Sequence, residues 1–273
     1  MKKEVNPDLY NRQYYLTDNE GYKEYEKSFQ IYIHPKFIRA LTIANPAKGD
    51  NVLDIGCGRG ELIYYCAKKG ANAFGIDYSK AAVEITQETL RKLPAELQRL
   101  AKAEIADVVT YNFNEKYDIV FMADILEHMY DWQIESAFRK IKEILNDNGR
   151  LIISTPNYYY DKYLFYIKRI INIPFNIPKI SLRVLKGKYK PRSFNEFLRK
   201  IFRIKVQRDS IQTMHINVLT PSKLKRLLSG FDADIRCQDP SRNPVSLITG
   251  KWWGREIIAV AKKQLEEISS SSK

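Results

Sequence analysis

The chain has 273 residues, 44% of them hydrophobic, and a formal net charge of +13, a length on the long side for one domain and short for two full ones. There is no run of 18 apolar residues, and Lys2-Lys3 is not followed by an apolar stretch, which argues against a spanning helix and a secretory leader. Cys57, Cys66 and Cys237 form neither a metal pattern nor a disulfide framework, so a reducing cytosol is the expected compartment.

An N-terminal segment, 1–34, places Tyr14, Tyr15, Tyr22 and Tyr25 among charges and ends at His34, a structural or site-mouth position. Val52, Leu53 and Ile55 then make a short apolar strand. It runs into a turn with Gly56, Gly58 and Gly60, and a helical stretch, Glu61–Lys69, follows. Glycine lets the backbone turn sharply and approach a ligand without a Cβ clash. The helix N-terminus behind it offers unpaired N–H groups. A strand, glycine turn and helix in this order bind a nucleotide-like ligand at the carboxyl end of a parallel sheet. The dinucleotide fingerprint needs a glycine where this chain has Glu61.

A second strand, Ala73–Ile76, ends at Asp77, an acid about 20 residues past the turn that can accept hydrogen bonds from ribose hydroxyls. Tyr78 and Ser79 lead into a helix over Ala82–Leu93, with Ser79 as N-cap. Ala103–Ala106 reads as a third strand ending at Asp107, and Tyr117–Ala123 as a buried fourth, with Asp118 in a structural role. Asp131-Trp132 opens a helix whose periodic part is Ile134–Leu145, terminated at Asn148-Gly149, before a fifth strand, Arg150–Ser154. Asn157 is expected at a pocket rim. Residues 157–210 hold 14 basic and 3 acidic side chains, a net +11 that leaves only +2 for the rest. This stretch reads as a basic, aromatic-rich helical insertion, with helices over Leu164–Ile173 and Asn195–Ile204. Thr220 and Pro221 are an N-cap and first turn, Glu256–Ala261 is the last strand, and 266–273 is a frayed tail.

The run Asp54-Ile-Gly56-Cys57-Gly58-Arg-Gly60, between Val-Leu and a helix, resembles the first motif of class I S-adenosylmethionine-dependent methyltransferases. The resemblance covers roughly residues 35–156 and 211–263. It implies a doubly wound, Rossmann-like α/β domain with a seven-stranded, mostly parallel sheet and an antiparallel last strand. The core would be 35–156 plus 211–265. By resemblance, S-adenosyl-L-methionine would lie against Asp54, Gly56, Cys57, Gly58, Gly60, Asp77 and Tyr78. Asp107 would meet the adenine amino group, the N–H of Val108 the ring, and Ala123 and Asp124 would close the fourth strand end. The N-terminal segment would fold over the cofactor, and S-adenosyl-L-homocysteine would be the product.

A hydroxyl acceptor must lose a proton, and histidine is the usual base near neutral pH. The chain has three: His34, His128 and His215. Glu127-His128 follows the fourth strand, where the resemblance puts the methyl acceptor. His215 precedes Thr220-Pro221, as in related enzymes of glycans, lipids and quinones. His128 and His215 are therefore the catalytic candidates, with Glu127 orienting or charging the site. Small-RNA and ubiquinone-pathway relatives carry Glu-x-x-Glu-His here and bind a divalent metal. In this chain Asp124, one methylene shorter, takes the first position, and no metal is expected.

The resulting expectation is O-methylation of a sugar, a lipid-linked molecule or another small hydroxyl compound. RNA methylation and a non-catalytic cofactor-binding subunit are the alternatives. The isoleucine-rich insertion suits a cap or an anionic membrane surface better than a nucleic-acid groove. A cytoplasmic protein, peripheral at a membrane, is the corresponding location.

Overall fold

The computed structural model describes residues 5–28, 33–164, 174, 177–191, 193–201, 214–238 and 254–264. Seven strands form one sheet: β1 Asn51–Ile55, β2 Asn72–Asp77, β3 Ala101–Ile105, β4 Tyr117–Ala123, β5 Leu145–Pro156, β6 Phe231–Gln238 and β7 Glu256–Lys263. Their order is β3-β2-β1-β4-β5-β7-β6. All neighbouring pairs from β3 to β5 are parallel, while β7 runs antiparallel to both β5 and β6. The order reverses between β1 and β4, which opens a crevice at their carboxyl ends, the usual ligand position in such sheets.

Both sheet faces are covered. Helices α2 (Pro35–Ala44), α3 (Glu61–Lys68) and α4 (Lys80–Leu90) bury Ala40, Leu62, Ile63 and Leu90 with Val52, Ile119 and Phe121. On the other face, α6 (Asp131–Ile144) and the helix Pro221–Leu227 bury Ile134, Phe138, Ile141 and Leu224 with Leu53, Val120 and Met122. A central strand buried on both sides needs a continuous apolar run, which Ile119–Met122 supplies. Truncating the fully buried Phe121 to alanine would cost about 3–5 kcal/mol.

Ser79 caps α4, its Oγ accepting from the Ala82 N–H at 3.2 Å, and Thr220 caps Pro221–Leu227 in the same way at 3.1 Å. Asp118 is structural. It accepts from the Asn51 N–H at 2.8 Å and from Asn146 Nδ2 at 2.6 Å.

Four sequence expectations change. The third strand starts two residues earlier, at Ala101. Helix α6 passes straight into β5 at Leu145, without a stop at Asn148-Gly149. Gly149 instead allows a close crossing: a Cβ there would lie 2.8 Å from the Tyr117 carbonyl, beside the register shift between β4 and β5. Phe231–Gln238 is a strand that the residue reading left out. Asn157 is fully buried and not at a rim. Its Nδ2 donates to the Gly254 carbonyl at 2.8 Å, tying the end of β5 to the start of β7.

Of the insertion, residues 177–185 and Phe194–Ile201 are helical. The expected helix over Leu164–Ile173 and the tail 266–273 fall outside the described residues, apart from Leu164 at the end of the helical turn Tyr160–Leu164. So does the end of the expected helix at 202–204.

Candidate active site

The crevice between β1 and β4 holds a pocket that brings together distant parts of the chain. Asp54, Gly56, Cys57 and Gly58 line it from the first turn, Asp77 and Tyr78 from the end of β2, and Asp107 and Val108 from beyond β3. Ala123, Asp124 and His128 complete it from the end of β4. Of the expected cofactor residues only Gly60 lies off the wall. Its φ is +78°, and a Cβ there would come within 2.8 Å of Thr86 Cγ2, so this glycine lets α3 pack on α4.

The turn is shaped for close approach. Gly56 has φ +75°, and a Cβ there would strike Ile125 Cδ1 at 2.6 Å. At Gly58 (φ +55°) a Cβ would sit 3.6 Å from the Tyr15 ring, in the space facing the pocket. Cys57 is a small packing side chain, with Sγ 3.6 Å from Thr86 Oγ1, and burial pushes its thiol up.

The acids are not equivalent. Burial first, then the charges of Asp77 and Glu61, raise Asp54 to about 8. Burial raises Asp77 to about 6, opposed by two backbone donors. These are the Ser79 N–H, 2.9 Å from Oδ1, and the Gly58 N–H, 3.1 Å from Oδ2. Both carboxylate oxygens keep a further lone pair for a ligand hydroxyl.

Three residues that shape the site have no counterpart among the sequence candidates. Arg59, between two glycines and only 2% exposed, is the first. Its guanidinium donates to the carbonyls of Tyr15 (3.0 Å) and Glu20 (2.9 Å), to Asn19 Oδ1 (2.9 Å) and to Glu61 Oε1 (3.1 Å). It thus bolts residues 5–20, a strap carrying Tyr10, Tyr14 and Tyr15 into the pocket wall, onto the glycine turn. Lys36, the second, is buried at the start of α2 with Nζ 2.5 Å from Asp124 Oδ2. Burial pushes Asp124 up, but the Lys36 charge and hydrogen bond outweigh it and hold this carboxylate low. Asp124 has φ +53°, a conformation that short polar side chains tolerate.

Asn217 is the third. Its N–H donates to the Glu127 carbonyl (3.1 Å), and its Nδ2 to the Met129 carbonyl (2.9 Å) and to Asp131 Oδ1 (2.8 Å). This clamp docks the Met214–Asn217 segment on the loop after β4. The rings of His128 and His215 therefore meet edge-on with centroids 5.0 Å apart, 87 residues apart in sequence. His215 does not line the pocket; it stands behind His128. Burial, then the neighbouring His215, lowers His128 to about 4, and burial also lowers His215. Both rings are neutral at pH 7. His34 N-caps α2 through its carbonyl, which accepts from the Phe37 N–H at 2.9 Å.

Glu127 is buried, off the pocket wall, and accepts from Thr155 Oγ1 at 3.0 Å. Burial and the Asp124 charge push its carboxyl well above the usual range. Ligand atoms of Glu127, His128 and His215 all lie within 4.8 Å of one another. This donor set suits a resident divalent ion poorly. Glu127 is already engaged by Thr155 Oγ1, and the Lys36 ammonium already supplies the positive charge at Asp124.

Comparison with known proteins bears on the whole arrangement. A family model described as a methyltransferase domain matches residues 29–238. A ubiquinone biosynthesis O-methyltransferase from Aliivibrio fischeri is 28% identical over 183 residues, 66% of this chain and 74% of that protein. The one from Chelativorans is 32% identical over 121 residues, 44% of this chain and only 46% of that protein. Among solved structures, magnesium protoporphyrin IX methyltransferase from Synechocystis with bound S-adenosylmethionine superposes at a TM-score of 0.54. That match has 16% identity, covers 97% of this chain and all of the other, and shows the fold. Sheet order, glycine turn and family match agree: the chain belongs to the methyltransferase domain family and is a class I S-adenosylmethionine-dependent methyltransferase.

Proposed function

We propose that this methyltransferase acts on a hydroxyl group of a small-molecule or lipid-linked acceptor. The observation that carries this reading is the pair of neutral, half-buried imidazoles, His128 and His215, at the carboxyl end of β4. An amine with a free lone pair needs no base, whereas a hydroxyl does, and a positioned base contributes typically 10²–10⁴-fold.

The glycine turn leaves room for the amino-acid part of the cofactor, and the Lys36 ammonium fits its carboxylate. Asp77 accepts the ribose hydroxyls. Asp107 and the Val108 N–H take the adenine edge. When bound, the cofactor supplies a methyl group already made electrophilic by its sulfonium. The chain's residues therefore have to align the acceptor and remove its proton. His128 takes that proton at Nε2. It can do so when Nδ1 carries the ring's own proton, facing the Met214 carbonyl at 3.1 Å and the Tyr10 hydroxyl at 2.8 Å, which leaves the lone pair on Nε2. His215 backs His128 from outside the pocket wall.

The insertion supports a lipid-linked acceptor. Leu182, Leu185 and Phe194 are exposed, with Leu185 at 84%, beside Lys179, Arg183 and Lys186. Exposed aliphatic and aromatic groups ringed by lysine fit an anionic interface. Among the described residues, no helix is long and apolar enough to cross a membrane. The ubiquinone-pathway names of the relatives point to acceptors of the same chemical kind.

The test is to incubate the purified chain with methyl-labelled cofactor and cell extract, then fractionate the label. Label in organic-soluble or small polar material supports the reading. Label in RNA or protein alone overturns it.

A further inference from the structure

The Tyr10 hydroxyl lies 2.8 Å from His128 Nδ1, although 118 residues separate them in sequence. Their rings meet edge-on, with centroids 5.4 Å apart. The same Nδ1 lies 3.1 Å from the Met214 carbonyl oxygen. A proton on Nδ1 can therefore be shared by two oxygen acceptors. Tyr10 is itself held firmly. Its carbonyl accepts from Ser79 Oγ at 2.6 Å, and its ring packs on Tyr14 and Tyr78 with centroids 5.3 and 5.4 Å away. The imidazole also faces the His215 ring and the Lys36–Asp124 pair.

Tyr10 sits on the strap, not on the sheet. Its contact with His128 exists only when the strap covers the pocket. We propose that Tyr10 is a positioning residue for His128: strap closure brings the phenol oxygen onto Nδ1, fixes the proton there, and so makes Nε2 the base only in the covered site. This inference rests on the reading of His128 as base. The transfer balances without another reactant. The acceptor oxygen forms its bond to the methyl carbon, the sulfur–carbon bond breaks to leave a neutral thioether, and Nε2 takes the hydroxyl proton. The resulting imidazolium donates its Nδ1–H to the Tyr10 and Met214 oxygens, a charge-assisted arrangement that is stronger than the neutral one. The proton leaves to solvent after opening.

The experiment uses the full chain with S-adenosylhomocysteine and ¹⁵N-labelled histidine at pH 7. Only three histidines occur, and His128→Ala assigns the signal. In the wild type, His128 is expected to carry its proton on Nδ1. In Tyr10→Phe both tautomers are expected. A wild-type proton on Nε2, with Tyr10 donating to Nδ1, overturns the proposal without any variant. So does an unchanged tautomer in Tyr10→Phe. Full methyl transfer by His128→Ala would remove the base reading instead, and would leave the tautomer result standing.

Discussion

Lys36 and Asp124 form an ion pair, 2.5 Å from Nζ to Oδ2, between the first turn of α2 and the residue that follows β4. Asp124 also accepts from Ser154 Oγ at 3.4 Å and donates its own N–H to the Ser154 carbonyl at 2.8 Å. The pair thereby links the N-terminal helix to the two central strands at the pocket floor.

Removing one partner of such a pair leaves a buried charge without compensation, at a cost of about 3–5 kcal/mol. Lys36→Met is thus expected to lower the melting temperature strongly. The double variant Lys36→Met/Asp124→Asn should recover much of it, because asparagine keeps the left-handed backbone and removes the charge. Thermal melts of the four proteins read the coupling; equal losses in the single and double variants would contradict the pairing.

Arg59→Lys keeps the charge but loses the fork that reaches two strap carbonyls, Asn19 and Glu61 at once. Cofactor affinity should fall about tenfold or more, near 1.4 kcal/mol. Limited proteolysis should cut before residue 20 faster than in the wild type. Unchanged affinity and an unchanged digestion rate would mean that the strap does not depend on this side chain.

Asp77 gives the cofactor site a pH dependence. Its carboxyl titrates at about 6 in the unliganded fold, raised by burial. Ribose hydroxyls need the ionised form as acceptor. Affinity should therefore hold above pH 7 and fall as pH drops through 6, with proton release on binding near pH 6. Calorimetry in two buffers of different ionisation heat measures that release. Asp77→Asn should flatten the profile and weaken binding by at least an order of magnitude, roughly one lost charge-assisted hydrogen bond.

Asp54 links pH to stability. Its folded value of about 8 lies above the ordinary carboxylate range, so the native state binds the proton more tightly than the unfolded chain. This contribution is fully present at low pH and is lost as pH rises towards 8. Asp54→Asn should raise the melting temperature at pH 8 by about 2–4 °C or more, the shift expected per kcal/mol in a chain of this size. A lower melting temperature at pH 8 would contradict it.

Much of this was readable before the fold. The β1–turn–α3 unit concentrates its signals within ten residues, and the caps Ser79 and Thr220 act within three residues of themselves, so local chemistry sufficed. His128 was placed by the strand before it. Strand β6 was legible too, since Phe231, Ala233, Ile235 and Cys237 alternate with Asp232, Asp234 and Arg236, but two aspartates masked the pattern. Arg59, Lys36, Tyr10 and Asn217 carry no local signature. Apart from the Arg59–Glu61 contact, the partners that give them their place lie 39 residues or more away, and only the tertiary structure brings them together. Gly149 misled for the opposite reason: a glycine after a helix usually ends it, whereas here it serves a carbonyl crossing in the next strand.

The strap has a kinetic consequence. Tyr15 roofs the glycine turn, and Arg59 beneath it is almost sealed from water. If donor and spent nucleoside pass beneath residues 5–20, the rate at which those contacts loosen caps turnover, and weakening the Arg59 contacts is expected to speed product release.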